Sequence, residues 1–241
     1  MILITHNCFS NAIAMATEIR VLLPDAEAER TVFLLCPEGG NGLQWITSTK
    51  VSVLCDQYKT AFVIVPSLEG CYTDMAYGYN FYSSLKEMVS YIATNLPGVP
   101  LKEKSCYAVG VSTGGIAAIR LALDMPELFA GALSFSGRLD ITQISGGWFT
   151  EKRLECLYGT SEQRSEKQKE FEDLCSKNDG QTFFICAKEQ DSGAASAQHI
   201  ASVLGSDTTL YTLPGTSNWK TWSDWLGSYI DQIGGSNHVS E

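Results

Sequence analysis

The chain has 241 residues, long enough for one substantial α/β domain, and no break in composition forces a second. Apolar residues make up 44% and charged residues 18%, which suits a globular protein with a real core. The formal charge of −10 argues against a nucleic-acid partner or an anionic lipid surface, and no apolar run approaches the ~20 residues that span a bilayer.

The first residues, "MILITHNCFSNAIAMATEIRV", have no basic segment leading into a continuous apolar one, so no signal peptide is expected. Eight cysteines could suggest disulfides, but no CxxC pair occurs and Cys55, Cys106 and Cys186 sit in strand-like runs. Reduced, buried thiols and a cytoplasmic location are expected.

In chain order, "EIRVLLP" (Glu18–Pro24) and "TVFLLCP" (Thr31–Pro37) read as strands, and "LQWITSTKVSVLCDQY" reads as one helix. "TAFVIVP" (Thr60–Pro66) is a third buried strand, and "YNFYSSLKEMVSYIATNLP" keeps helical spacing until its proline. "SCYAVGVS" then runs as a strand into a glycine turn, followed by the small-residue helix "GGIAAIRLALDMP". "GALSFS", "TFFICA" and "TTLYTLP" complete the strands, and Asn218–Ile233 forms the last helix. This alternation predicts a mostly parallel central sheet with helices on both faces. Between Trp148 and Gly180 the chain becomes charged and helix-prone: either a solvated helical excursion or a small cap over a pocket. The whole, 1–241, is read as one domain with 148–180 as a cap-like insertion.

Gly110-Val111-Ser112-Thr113-Gly114 fits G-x-S-x-G at the junction of a strand and a helix. Small flanking residues let the turn pack, and the serine hydroxyl would project at the carboxyl edge of the sheet, where open α/β folds place ligands. A serine needs an adjacent base to become a nucleophile. Asp191, in "CAKEQDSG", follows a strand and can serve either as an acid that orients such a base or as a helix N-cap. The three histidines are poorly placed for the base. His6 precedes the other elements, His199 lies two helical turns past Asp191, and His238 lies beyond the final helix.

Together, "FLLCPEGGNGLQW", "GCYTDMAYGYNFYSSL", "AVGVSTGGIAAIRLAL", "ALSFSG", "AKEQD" and "PGTSNWKTW" resemble the tributyrin esterase and esterase D group of α/β-hydrolases. That group includes S-formylglutathione hydrolases and feruloyl or acetyl esterases. The resemblance implies an α/β-hydrolase fold with Ser112 as nucleophile and Asp191 as triad acid. It also implies an oxyanion hole from the backbone N–H groups of Glu38 and Thr113. Two departures stand out. The family's L-L-H-G-x-G-G loop becomes Leu34-Leu35-Cys36-Pro37-Glu38-Gly39-Gly40, which puts a carboxylate side chain at the oxyanion position. In the final loop, Ser217 stands where the family carries its catalytic histidine, and either Ser217 or Asn218 could cap the helix that follows.

The resemblance therefore implies an esterase-family hydrolase for short acyl or aryl esters with an incomplete triad, inactive or slow. The alternative is an active serine carboxylesterase with a non-standard proton acceptor, such as water, His199, or His238 of a neighbouring subunit. The expected partner is a small ester or carboxylate; a homo-oligomer stays open. No metal or organic cofactor is called for, because ester hydrolysis at a serine elbow needs neither.

Overall fold

The computed structural model describes residues 1–235. The chain opens with a hairpin, β1 (Ile2–Ser10) and β2 (Met15–Leu23), followed by β3 (Arg30–Leu35). Two short helices, α1 (Leu43–Thr47) and α2 (Val51–Gln57), lead to β4 (Thr60–Val65), and α3 (Phe81–Asn95) leads to β5 (Cys106–Val111). Then come α4 (Thr113–Asp124), β6 (Phe129–Phe135), α5 (Glu151–Tyr158), α6 (Ser161–Cys175), β7 (Thr182–Lys188), α7 (Ala194–Leu204), β8 (Thr208–Leu213) and α8 (Trp219–Gly235).

All eight strands form one sheet in the order β1-β2-β4-β3-β5-β6-β7-β8. From β4 to β8 every neighbouring pair is parallel, while β2 pairs antiparallel with both β1 and β4. Period-two alternation divides the core between the two faces. Phe33, Leu35, Cys106 and Ala108 pack with α3, α4 and α7, whereas Val32, Leu34, Val109 and Val111 pack with α1, α2 and α8. β3 and β4 are buried along their full length, as strands covered on both faces require. Order reverses beside β3: the chain goes to β4 on one side and to β5 on the other. This switch point places the end of β5 at the crevice where such folds bind ligands.

Two elements depart from the sequence expectations. The hairpin adds a strand before Glu18; β1 is an edge strand whose side chains are mostly exposed, so its apolar content carries little pattern. The helix expected over 43–58 is divided at Ser48–Lys50. There the Thr49 hydroxyl turns back to the Trp45 carbonyl, and the Lys50 N–H donates to Ser223 Oγ at 3.0 Å. A local side-chain bond of this kind competes with the helical ladder.

The charged segment folds as α5 and α6. Thr150 caps the first, and Thr160 with Gln163 forms a capping box on the second. Phe171 and Cys175 of α6 join the core shared with α4 and α7, while Leu154, Leu157 and Tyr158 of α5 close a small cluster around Cys71, Ile141 and Phe149. Most of the charges face water, with Arg164 buried and paired to Glu151 at 2.8 Å. Among the described residues no helix is long and apolar enough to cross a membrane.

Candidate active site

Ser112 sits between β5 and α4 with φ 55° and ψ −116°, a region that side chains avoid unless the surroundings impose it. The surroundings do so through glycine. A Cβ on Gly110 would come 1.8 Å from the Gly114 carbonyl oxygen, and one on Gly114 would come 2.6 Å from the Cys36 carbonyl oxygen. Strand, elbow and helix can close this tightly only without those side chains. The Ser112 N–H donates to the Phe135 carbonyl at 3.0 Å, and its carbonyl accepts from the N–H groups of Gly115 and Arg138. The elbow is thereby tied to the end of β6.

Asp191 lies just past β7 and is not a helix cap; Gly193 holds that place before α7. Its Oδ2 accepts from Ser217 Oγ at 2.6 Å, from Ser136 Oγ at 2.8 Å and from the Lys188 N–H at 2.8 Å, while its Oδ1 accepts from the Ser217 N–H at 2.9 Å. Burial is the largest single influence on this carboxyl and pushes its pKa up. The hydrogen bonds from Ser217, Lys188 and Ser136 together outweigh burial and hold it below the usual carboxylate range. Trp222 Nε1 donates to Ser136 Oγ at 3.1 Å, linking the cluster to α8. Helix capping in this loop falls to Asn218, whose Oδ1 accepts from the Thr221 N–H at 3.0 Å. Ser217 therefore stands at the acid, its hydroxyl proton committed to the carboxylate.

Ser112 meets a different partner. Arg138 Nε donates to Ser112 Oγ at 3.2 Å, and the same Nε lies 3.7 Å from Glu38 Oε1. The guanidinium rests against the Phe149 ring, 4.9 Å from its centroid. Arg138 and Glu38 are about four-fifths buried, with side-chain exposures of 19% and 18%. Thr113 Oγ1 lies 3.5 Å from Glu38 Oε2, so the Glu38 carboxylate is turned toward the helix terminus. As the first residue of α4, Thr113 has an N–H with no intrahelical acceptor, free to face an anion.

The arrangement therefore holds a serine hydroxyl against a guanidinium, a group with donors and no acceptor. Among the described residues no imidazole joins Ser112 to Asp191. His6 is on β1, with Nε2 2.7 Å from the Tyr91 hydroxyl, and His199 pairs with Glu172 at 3.2 Å on α7. His238 lies outside the described residues. Cys36, in the first loop, is buried; its Sγ donates to the Val65 carbonyl at 3.3 Å, and burial pushes its thiol up to about 12.

Sequence reasoning missed Arg138 and Ser136. Ser136 lies inside the quoted segment "ALSFSG" and Arg138 directly follows it, so the signal was a cation emerging at the carboxyl end of β6. Its contact with Ser112 depends on the register of β5 against β6, which no local pattern encodes.

Comparison with known proteins agrees with this fold. Residues 10–227 match the Esterase family model. An acetyl esterase of Caldicellulosiruptor saccharolyticus is 26% identical over 161 residues, 61% of this chain and 60% of that protein's length. Among solved structures, the fluorophosphonate-binding serine hydrolase F of Staphylococcus aureus superposes with a TM-score of 0.80 at 17% identity, covering 97% of this chain and 98% of that one. An S-formylglutathione hydrolase from Agrobacterium tumefaciens gives 0.77 at 15% identity, covering 97% and 94%. With an eight-stranded α/β-hydrolase sheet and a family match across most of its length, the chain belongs to the esterase family.

Proposed function

We propose that this chain keeps the esterase scaffold but is inactive or slow as a carboxylesterase, and that it binds a small ester or carboxylate beside Ser112 and Arg138. The observation that carries this reading is the split of the triad line. The Ser217 hydroxyl donates to Asp191 at 2.6 Å, while Ser112 Oγ is held by Arg138 Nε at 3.2 Å.

Acyl transfer needs the Ser112 proton to leave as its oxygen attacks a carbonyl carbon, and needs the same proton delivered to the leaving alcohol. Neither Ser217 nor Arg138 accepts a proton near neutral pH. Removing the base from a comparable triad costs about 10⁶ in turnover, leaving about 10³–10⁴ over water from positioning and the oxyanion hole. Here the Glu38 carboxylate beside Thr113 adds a charge that opposes a developing oxyanion.

The second reading is a working carboxylesterase on short acyl or aryl esters with a non-standard acceptor. It draws on one fact: His199 and Arg138 line the same cleft of about 360 Å³. Hydrolysis of short-chain p-nitrophenyl esters by the wild type and by Ser112→Ala separates the two. Equal background rates support the degenerate site. A robust rate abolished by the substitution would overturn it in favour of the working enzyme.

A further inference from the structure

The sheet ends at β1, and among the described residues no strand pairs with its outer side. The strand is nine residues long and matches β2 residue for residue, without a bulge. Every second residue therefore turns its N–H and C=O outward, an open ladder ~30 Å long. Exposed edges are normally blunted by charge, proline, a bulge or brevity. The run "ILITHNCFS" has no Lys, Arg, Asp, Glu or Pro and keeps its register throughout. The other edge, β8, offers only six residues.

Alternation sorts the side chains of β1. Ile4, His6, Cys8 and Ser10 face α3, where His6 Nε2 lies 2.7 Å from the Tyr91 hydroxyl and Ser10 Oγ donates to Glu87 at 2.6 Å. Leu3, Thr5, Asn7 and Phe9 face the other way and are exposed. Three large apolar side chains of this one strand stand in water: Ile2 is 55%, Leu3 47% and Phe9 63% exposed. Beside the edge, a groove of about 530 Å³ runs between β1 and α3, past Cys8, Ser10, Met88 and Tyr91.

We propose that β1 pairs antiparallel with β1 of a second copy, joining two eight-stranded sheets into one across a two-fold axis at His6. Self-pairing is what the sequence of the strand fits. Antiparallel geometry sets outward-turned residues opposite each other, so a residue meets one of like parity. An axis at His6 uses all nine residues and matches like with like: Leu3 opposite Phe9, and Thr5 opposite Asn7, on both sides of the axis. An axis at Thr5 would set Leu3 against Asn7, and one at Asn7 would set Phe9 against Thr5. On the α3 face, Ile2 of the second copy comes opposite Ser10, beside the groove. Two chains of formal charge −10 repel each other, and a strand without charge is where they approach most easily. β2, β4 and β3 separate β1 from the elbow strand β5, so the association does not depend on what Ser112 does.

Sedimentation velocity of the full chain between about 1 and 100 μM tests the proposal. The wild type should convert with concentration to a species of twice the 26.3 kDa chain mass. Leu3→Lys combined with Phe9→Lys removes two apolar pairs and should weaken association at least ~tenfold. Far-UV circular dichroism should stay unchanged, because both side chains are exposed. Charge then reads the register. Thr5→Glu with Asn7→Lys sets opposite charges face to face and should still associate, whereas Thr5→Glu with Asn7→Glu sets like charges face to face and should not. In a Cys156→Ser background, oxidation of His6→Cys should give a disulfide-linked dimer, because only residue 6 meets its own copy, with Cα atoms about 4.5–5.5 Å apart. Asn7→Cys should stay unlinked. A wild type that remains monomeric up to about 100 μM overturns the proposal. So does a dimer that survives both the lysine pair and the glutamate pair, and so does equal cross-linking at positions 6 and 7.

Discussion

Arg138 Nε stands 3.2 Å from Ser112 Oγ and 3.7 Å from a Glu38 carboxylate oxygen, so the elbow hydroxyl is tied to a cation that is itself tied to the loop after β3. In the proposed site, Arg138 on Ser112 thus stands beside Ser217 on Asp191 as a second obstacle to acyl transfer. Ser217→His supplies an imidazole at a position whose backbone N–H already contacts Asp191 at 2.9 Å. With Arg138 still on Ser112, the single substitution is expected to raise p-nitrophenyl acetate hydrolysis only slightly above a Ser112→Ala background. Ser217→His combined with Arg138→Ala is expected to exceed it by ~tenfold or more, the scale of one removed charge-assisted hydrogen bond. Initial rates of the three proteins decide this, and a single substitution as fast as the double would show that Arg138 does not restrain Ser112.

Asp191 gives the site a pH signature. Its carboxyl is held below the ordinary value of 3.8, with burial opposing and the hydrogen bonds from Ser217, Lys188 and Ser136 prevailing. A depressed folded-state pKa stabilises the fold above the unfolded value and loses that contribution as pH falls through the folded one. Ser217→Ala removes one donor and should cost about 1 kcal/mol at neutral pH. In urea titrations the difference from wild type should persist through pH 4 and past 3.8, and shrink only as the pH falls through the depressed folded-state value and the carboxyl becomes neutral. A difference that stays constant through that window would mean that the Ser217 contact does not depend on the charge.

The cysteines offer an independent check on packing. All eight are free, seven are buried, and Cys156 on α5 alone is partly exposed. Burial pushes the thiols of Cys36, Cys55, Cys71, Cys106, Cys175 and Cys186 up to about 12, so they are both shielded and protonated at neutral pH. Titration of the native protein with a disulfide reagent should therefore modify about one thiol quickly, and Cys156→Ser should remove that phase. Denaturant should release the rest. Two or more fast thiols in the Cys156→Ser variant would contradict the packing around α5 and β7.

Legibility followed physical locality. The buried strands β3, β4 and β5 were readable because each is an unbroken apolar run, and the elbow because steric closure at Gly110 and Gly114 demands glycine. The edge strand β1 was not, since one exposed face and a neighbour on one side leave little pattern. Ser217 drew notice through the resemblance of its loop to a motif, but its partnership with Asp191 came only with the fold. Arg138 sits 26 residues away on another strand's exit, and its contact with Ser112 is set by strand register rather than by any local pattern.

The backbone at Ser112 provides the remaining test, and it separates strain from chemistry. With φ 55° and ψ −116°, this residue occupies a region that costs a side chain about 1–3 kcal/mol. Ser112→Gly and Ser112→Ala both delete the hydroxyl and its bond from Arg138, so their difference reports the backbone alone. Glycine should regain most of the strain, less the ~0.5–1 kcal/mol it loses through a freer unfolded chain, a net gain of about 1 kcal/mol. For a chain of this size that is a Tm about 2–4 °C above the alanine variant, read by thermal unfolding at neutral pH. Gly110→Ala should move the other way by several kcal/mol, because its new methyl meets a backbone carbonyl 1.8 Å away that belongs to α4 and has no rotamer by which to yield. Equal stabilities for the glycine and alanine variants would mean that the elbow is relaxed, and a relaxed elbow would not need the two flanking glycines.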